Sequence, residues 1–206
     1  MSDPPPGART SPATARNRDP ILEVLRTRLP DGGMVLEIAA GAGEHAIHLA
    51  GALPHLSWQP TDPDPEALVS IAAWRDYAGL PNLLHPLRLD AADPDSWPGD
   101  PIAAVVNINM IHISPWAAAE GLMLGAGRRL TTGGGLFLYG PYIERDVETA
   151  PSNLAFDESL KSRNPAWGIR HLDEVAALAA RHGLRLAERI AMAANNLIVV
   201  FRRVAG

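Results

Sequence analysis

The chain has no cysteine among its 206 residues, and this absence excludes several kinds of site. Disulfides, cysteine-ligated zinc and thiol nucleophiles all need a sulfhydryl group. The absence is compatible with a reducing cytoplasm, and we expect a cytoplasmic protein. No metal is expected either, because His45 and His48 lie three residues apart without an evident third ligand in the sequence.

Long apolar runs and a surplus of positive charge are also missing. No uninterrupted apolar stretch approaches the roughly 18 residues of a membrane-spanning helix. Acidic residues outnumber lysine and arginine by 23 to 18, which gives a net charge of −5. Such a balance offers no general attraction to nucleic acid or to anionic membranes. We therefore expect a small molecule, rather than nucleic acid or a membrane, as the main partner.

What remains is the composition of an ordinary globular domain, with 47% hydrophobic and 20% charged residues. Residues 1–14 are rich in proline, serine and glycine and are expected to form a disordered tail. Order is expected to begin near Ala15, in a basic segment that either stays flexible or folds over a ligand. Asp19 and Pro20 are predicted to cap and start a helix. Residues 15–206 then form a single domain.

Short apolar runs alternate with helix-like segments from residue 34 to residue 139. This alternation predicts a parallel sheet with helices on both faces. The last two runs have no helix between them, which predicts a closing antiparallel hairpin. The fold class is therefore α/β, with a doubly wound, Rossmann-like sheet of seven mostly parallel strands. The predicted strands are residues 34–38, 55–62, 83–89, 102–110, 136–139, 184–190 and 196–203.

A glycine-containing bend, Glu37 to Gly43, follows the first predicted strand. A doubly wound sheet places its ligand at such a junction, where glycine lets the backbone approach the ligand and the next helix favours an anionic group. A purely structural turn has the same pattern. Glu37 is a charge inside an apolar strand. We expect it either to pair with an amide or an arginine, or to orient the charged end of a ligand beside Gly41 and Gly43.

Two carboxylates end the next two predicted strands. Asp62 lies about 20 residues beyond the glycines, where a carboxylate can accept both hydroxyls of a ribose. Asp90, followed by Ala91, could accept from the amine of an adenine. Each alone is also a common turn residue. Together with the glycine bend they predict a nucleoside site at the carboxyl ends of three successive strands.

The ends of the fourth and fifth predicted strands supply the candidate catalytic groups. Asn107 and Asn109 share one face of a strand, and an asparagine carbonyl can bind an ammonium or position an acceptor. His112 is a candidate general base, with a helix cap or a satisfied core histidine as the alternatives. Tyr142 is expected either to line the acceptor pocket or to pack in the core. Residues 142–170 form a long insertion, interpreted as a lid or as a surface helix and linker.

Several segments share their pattern with one known family: residues 11–13, 16–22, 35–45, 58–62, 107–113, 138–142 and 152–170. The chain resembles a methyltransferase-like family that includes methyltransferase-like protein 26 of animals. The resemblance covers nearly the whole chain after residue 10. It implies the class I S-adenosylmethionine-dependent methyltransferase fold, of which a closing antiparallel hairpin is typical. The family has no settled substrate, so the resemblance says little about the methyl acceptor.

The resemblance also assigns the cofactor contacts. Gly41 and Gly43, with Glu37 near them, would hold the methionine part of S-adenosylmethionine, while Asp62 would hold the ribose and Asp90 would meet the adenine. Ala91 and Asn107 are expected to complete these contacts. One position departs from the sequence pattern of the class I methyltransferase superfamily. The usual first motif, Asp-x-Gly-x-Gly, has an aspartate where this chain has Ala39.

The sequence thus predicts methyl transfer to a small-molecule acceptor, with Asn109, His112 and Tyr142 beside that acceptor. Two alternatives stay open. Ala39 favours a binding module that keeps the fold but has lost turnover. An NAD-dependent oxidoreductase uses a similar loop, although it normally has a third glycine where this chain has Ala46.

Overall fold

The computed structural model describes residues 4–99 and 101–205, which form a sheet between two layers of helices. The strands are β1 (Gly33–Ile38), β2 (Leu56–Asp62), β3 (Leu87–Arg88), β4 (Ile102–Ile108), β5 (Leu130–Gly140), β6 (Tyr142–Ile143), β7 (Arg170–His171), β8 (Leu184–Met192) and β9 (Asn196–Arg203). The helices are α1 (Pro12–Arg26), α2 (Glu44–Ala52), α3 (Pro65–Ala78), α4 (Trp116–Arg129), α5 (Pro151–Arg163) and α6 (Leu172–Arg181). In the described chain, no helix has the length and apolarity that a membrane span requires.

The main sheet has seven strands in the order β3-β2-β1-β4-β5-β9-β8. The strands β1 to β5 run parallel, and β9 runs antiparallel to both β5 and β8. The predicted seven-stranded, mostly parallel sheet with an antiparallel closing hairpin is therefore confirmed. The strand order reverses between β1 and β4, which is where doubly wound sheets bind their ligands.

Both faces of the sheet are apolar, as the continuous hydrophobic runs predict for buried parallel strands. Along β1 the side chains alternate: Leu36 and Ile38 join the core that includes α4 and α6, whereas Val35 joins the core that includes α1 and α2. The two cores fix the central strands β1, β4 and β9 in register, because a slip by one residue would turn each buried apolar side chain to the opposite face. This rigid sheet positions the loops at its carboxyl edge.

Order begins earlier than the sequence predicts. Helix α1 starts at Pro12, so Pro20 lies inside the helix rather than in its first turn. The amide of Arg9 donates to the hydroxyl of Ser70 on α3, at 2.8 Å. A segment whose composition favours disorder is thus held by partners distant in sequence. Residues 1–3 of the expected tail lie outside the described residues.

Two strands differ in extent from their predictions. The third, expected over residues 83–89, is reduced to β3, because Pro86 has no amide hydrogen to give to a neighbouring strand. The side chain of Gln59 instead donates to the carbonyl of His85, at 2.6 Å. The fifth, expected over residues 136–139, extends back to Leu130 through an irregular register against β4.

The two ends of the insertion lie side by side. Strand β6 pairs with β7, which brings Tyr142 opposite Arg170 in a small separate sheet. Between them the insertion carries α5, so it is a helical excursion closed at its base rather than an irregular loop. A segment tied in this way can cover a site while its two ends stay fixed.

Candidate functional site

The bend after β1 adopts a left-handed backbone at three places. Ala39, Gly41 and Gly43 have φ values of 56°, 58° and 91°. Such values suit glycine, and a residue with a Cβ, such as Ala39, adopts them at a cost of roughly 1 kcal/mol. The amide of Gly41 donates to the carboxylate of Asp62 at 2.9 Å, which fastens the bend to the end of β2.

Asp62 is nearly buried, and both of its carboxylate oxygens accept backbone hydrogen bonds. One oxygen accepts from Gly41 at 2.9 Å and the other from Asp64 at 3.0 Å. Burial raises the pKa of Asp62, while the amides of Asp64 and Gly41 act in the opposite direction. An ionised carboxylate has about four acceptor positions, so two remain for further donors. The structure places Asp62 against the glycine bend, and its role toward a ribose stays a prediction.

A cavity of about 430 Å³ lies at the carboxyl ends of β1 and β2, and we call it the Asp90 cavity. Asp90 lines it, and one oxygen of this exposed carboxylate accepts from the amide of Ala92 at 2.9 Å. The other lining residues at this end are mainly small or apolar, and they include Ile38, Ala39, Pro63, Leu89, Ala91 and Met110. A flat apolar body with an amino group fits such a set, since the walls can pack on its faces and Asp90 can accept from the amine.

A second cavity, of about 600 Å³, lies at the ends of β4 and β5, and we call it the histidine cavity. Asn109 and His112 line it together with Tyr139 of β5. Ile113 lines both cavities, so the two cavities adjoin at this residue. Two adjoining cavities at the sheet edge can hold two small molecules, or two parts of one, in contact.

His112 is the most unusual group of the second cavity. It is only 2% exposed, and its Nδ1 is buried without a hydrogen-bond partner among the described residues. Its ring meets Phe156 edge-on at 5.7 Å between centroids. Burial lowers the pKa of His112 to about 4, and the charge of Arg170 acts in the same direction. The ring is therefore neutral at physiological pH and able to accept a proton.

Six of the residues predicted for the site line neither cavity: Gly41, Gly43 and Asp62 at the bend, and Glu37, Asn107 and Tyr142, which are buried. Tyr142 is buried in the core beside α4 and α6, and it lines a separate cavity of about 160 Å³. Burial raises its pKa far above the ordinary value, and its hydroxyl has no partner among the described residues. Asn107 donates to the carbonyl of Ile38 at 2.9 Å, so it joins β4 to β1. Glu37 accepts from the indole of Trp58 at 2.7 Å.

The sequence alone left the direction of these side chains open. For Glu37, the pairing alternative is the one observed, although its partner is an indole rather than an amide or an arginine. For Tyr142, the structure shows the packing alternative. The physical reason is common to Glu37, Asn107 and Tyr142: each side chain is directed into the layers of the sheet rather than past its carboxyl edge, and the cavities lie beyond that edge.

The carboxyl group of Glu37 gives a prediction about stability. Burial raises its pKa to about 7, the bond from Trp58 opposes this, and the charge of Asp62 adds to it. Between pH 4.5 and 7 the folded chain therefore keeps a proton that the unfolded chain loses, so stability falls as the pH rises. Glu37→Gln keeps an acceptor for Trp58 and removes the ionisation. We expect the free energy of unfolding of Glu37→Gln, relative to that of the wild type, to be about 2 kcal/mol higher at pH 8 than at pH 5.

Urea unfolding at both pH values measures this difference. Glu23→Gln, at an exposed position of α1, is the control and should show no pH-dependent gain. A Glu37→Gln effect that is equal at pH 5 and pH 8 would contradict the raised pKa. The same variant separates the two roles considered for Glu37, because a purely structural group leaves the affinity for a cofactor unchanged.

Two segments outside the main sheet close the cavities. From the N-terminal side, Arg16 and Asn17 of α1 line the histidine cavity, and Asn17 lies 2.9 Å from the ring nitrogen of His45 on α2. From the insertion, Phe156 lines the histidine cavity and Trp167 lines the Asp90 cavity. Of the two alternatives for the basic segment, the structure favours the one in which it folds over the site.

The histidine pair of α2 has protein partners. His45 contacts Asn17, and His48 lies 3.0 Å from the carboxylate of Asp19. Burial lowers the pKa of His45 to about 4, with His48 and Arg18 acting in the same direction. Within residues 4–99 and 101–205 there is no cluster of three side chains suited to a metal ion. These histidines therefore serve the contact between α1 and α2.

Sequence reasoning missed some of the residues that shape the cavities. Ile113 lines both cavities, and Met110 forms part of the apolar wall of the Asp90 cavity. No local pattern marks these residues, since the other walls of the cavities come from separate elements of the chain. A sequence signal did exist for the packing of α4 against the segment that follows Asp90. Gly121 and Gly125 recur on one face of α4, and such spacing indicates close packing. A Cβ at Gly121 would clash with the carbonyl of Ala91, and a Cβ at Gly125 would clash with the ring of Trp97.

A family model described as "Protein of unknown function (DUF938)" matches residues 8–203 of the chain. The chain is also similar to solved methyltransferase structures. An O-methyltransferase family protein from Burkholderia thailandensis shares 16% identity with a TM-score of 0.79, covering 94% of this chain and 58% of that one. The mitomycin 7-O-methyltransferase MmcR shares 18% with a TM-score of 0.75, covering 92% and 55%. The S-adenosylmethionine-dependent methyltransferase SibL shares 19% with a TM-score of 0.76, covering 94% and 56%.

At these identities the likeness shows the fold alone. The chain has the sheet of class I methyltransferases, and it spans between 55% and 58% of the length of these three proteins. The kinship with methyltransferase-like protein 26 stays a prediction. Any activity assigned to this chain therefore rests on its two cavities.

Proposed function

Because the chain belongs to the family described as protein of unknown function (DUF938), and has the fold of class I methyltransferases, we propose that it is an S-adenosylmethionine-dependent methyltransferase. Its acceptor is a small molecule held in the histidine cavity. One observation carries the proposal: the cavity with Asp90 and the cavity with His112 adjoin at Ile113. Donor and acceptor bound there would be neighbours, and alignment of two reactants is the main requirement of methyl transfer.

The residues present fit the cofactor. Asp90 would accept from the adenine amine, with Ile38, Leu89 and Met110 against the ring. The remaining acceptor positions of Asp62 would meet the ribose hydroxyls. The space around Gly41 is open, since a Cβ built there has no atom within 4 Å. An approaching methionine group would therefore find room beside the bend.

S-Adenosylmethionine supplies, when bound, a methyl group on a positively charged sulfur that leaves readily as a thioether. The protein's own groups have two tasks. His112 takes the proton from the acceptor as the methyl group is transferred, since its ring is neutral at physiological pH and lines the histidine cavity. The segments α1 and 142–170 exclude water from both cavities, and Asn109 orients the acceptor at the end of β4.

Ligand titration of the purified protein tests the cofactor assignment. We expect S-adenosylhomocysteine to bind in a calorimeter and NADH not to bind. Asp90→Asn keeps the oxygen that caps Ala92 and loses the charge, so its dissociation constant should rise about tenfold. Asp93→Asn is the matched control, because Asp93 accepts from Asp95 in the same turn without lining the cavity.

Three outcomes would change the proposal. Binding of NADH in place of S-adenosylhomocysteine would favour the oxidoreductase. Equal effects of Asp90→Asn and Asp93→Asn would remove Asp90 from the site. Cofactor binding without label transfer from methyl-tritiated S-adenosylmethionine to any acceptor of a broad small-molecule panel would favour the binding module without turnover.

A further inference from the structure

The histidine cavity differs in charge from the chain as a whole. The protein carries a net charge of −5, with 23 acidic residues. In the part of the chain that the structure describes, no aspartate or glutamate lines this cavity, whereas Arg16 and Arg163 both do.

Neither arginine has an acidic partner among the described residues. Among residues 4–99 and 101–205, Arg16 and Arg163 form no ion pair, although eight other pairs are present. Arg163 donates to the carbonyl of Ser159 at 3.2 Å and lies over the ring of Trp167 at 5.6 Å, and like Arg16 it is exposed, so its guanidinium group is accessible to an anion. Guanidinium groups suit the paired oxygens of a carboxylate or a phosphate.

The two arginines come from the two segments that close the cavity. Arg16 belongs to α1 and Arg163 to the last turn of α5. Phe156 and His112 line the same cavity, and their rings meet edge-on at 5.7 Å between centroids. An aromatic side chain offers a face for a planar ligand.

We propose that the acceptor is a planar molecule with an anionic group, a carboxylate or a phosphate, which Arg16 and Arg163 bind while its hydroxyl lies near His112. This inference rests on the proposed function and names its substrate class. The anion neutralises charges on both closing segments at once. This contact selects against neutral molecules of the same shape, because they offer the two guanidinium groups no charged partner.

Matched probes test this selectivity. Protein saturated with S-adenosylhomocysteine is titrated with 4-hydroxybenzoate, with 4-hydroxyphenyl phosphate and with the neutral methyl ester of 4-hydroxybenzoate. We expect at least one of the two anions to bind about tenfold more tightly than the ester, and 0.5 M salt to remove most of this difference. Which anion binds more tightly distinguishes the carboxylate from the phosphate as the natural group.

Arginine variants locate the effect. Arg16→Gln and Arg163→Gln should each lower the preference for the anion about fivefold or more, whereas Arg128→Gln, near the end of α4 and outside the cavity, should leave it unchanged. The affinity for S-adenosylhomocysteine should stay the same in all three variants. If it falls in Arg16→Gln, this arginine holds the cofactor's carboxylate, and the inference is wrong.

The outcomes for the inference and for the proposed function are distinct. If S-adenosylhomocysteine binds and neither anion binds more tightly than the ester, the anionic acceptor is excluded while the methyltransferase assignment stands. If S-adenosylhomocysteine does not bind at all, the proposed function fails first and the inference fails with it.

Discussion

Replacing Gly43 by alanine is expected to destabilise the protein by about 3 kcal/mol. Gly43 has a φ of 91°, and a Cβ at this position would lie 2.9 Å from the Cα of Ile71 in α3. The left-handed backbone costs about 1 to 2 kcal/mol for alanine, and the contact with a backbone atom adds a similar cost because α3 cannot move independently of its core. In a domain of this size the melting temperature should fall by about 10 °C.

Gly41→Ala is the matched control within the same bend. Its φ of 58° costs alanine about 1 kcal/mol, and no atom lies within 4 Å of the added Cβ. Urea unfolding should therefore give a loss about three times larger for Gly43→Ala. Equal losses would contradict the assignment of Gly43 to packing against α3. The folded Gly41→Ala protein should also bind S-adenosylhomocysteine more weakly, because its methyl group occupies open space at the bend.

The sheet could be predicted because its signals are local. Apolar runs of strand length, glycine bends and helix-like segments repeat along residues 34–139, and each of these signals depends on near neighbours in sequence. Helix α3, for example, begins at Pro65 behind the cap residue Asp64, which accepts from Glu66 at 3.0 Å. The alternation then limits the topology, since parallel crossovers are right-handed and adjacent strands pair.

The N-terminal segment shows where local signals fail. Its proline-rich composition favours disorder, yet the amide of Ser11 donates to the carboxylate of Glu44 at 2.5 Å. Arg9 likewise meets Ser70 and Trp74 on α3. The stabilising partners are 33 to 65 residues away in sequence, so no window of local composition can reveal them.

The candidate site was predictable as a place but not as a set of side chains. Strand ends in a parallel sheet meet at one edge, so Asp90, Asn109 and His112 could be assigned to that edge from sequence. Whether a side chain points past the edge or into a layer depends on register and twist. Trp58 and Glu37 illustrate this, since their hydrogen bond joins neighbouring strands across 21 positions of sequence.

His112→Gln is expected to lower kcat at least about 100-fold with an acceptor that carries a hydroxyl. A general base of this kind contributes two to four orders of magnitude, and glutamine cannot accept the proton. The cavity-lining position and the neutral ring of His112 make it the base in our proposal. His55→Gln, at an exposed position outside the cavities, is the control and should keep the wild-type rate.

The pH profile distinguishes a base from a residue that merely fills space. Since burial lowers the pKa of His112 to about 4, the ring stays neutral down to pH 5, and kcat/KM should be nearly constant from pH 7 to pH 5. An ordinary histidine would lose activity near pH 6.5. At His112 the unfolded chain binds a proton below pH 6.5 that the folded chain does not bind until about pH 4, so the contribution of this histidine to stability falls as the pH decreases. Rates must therefore be measured on protein shown to be folded. An inflection near pH 6.5 that persists in His112→Gln would assign the base to another residue, because the proton would then be taken by a group that this substitution leaves intact.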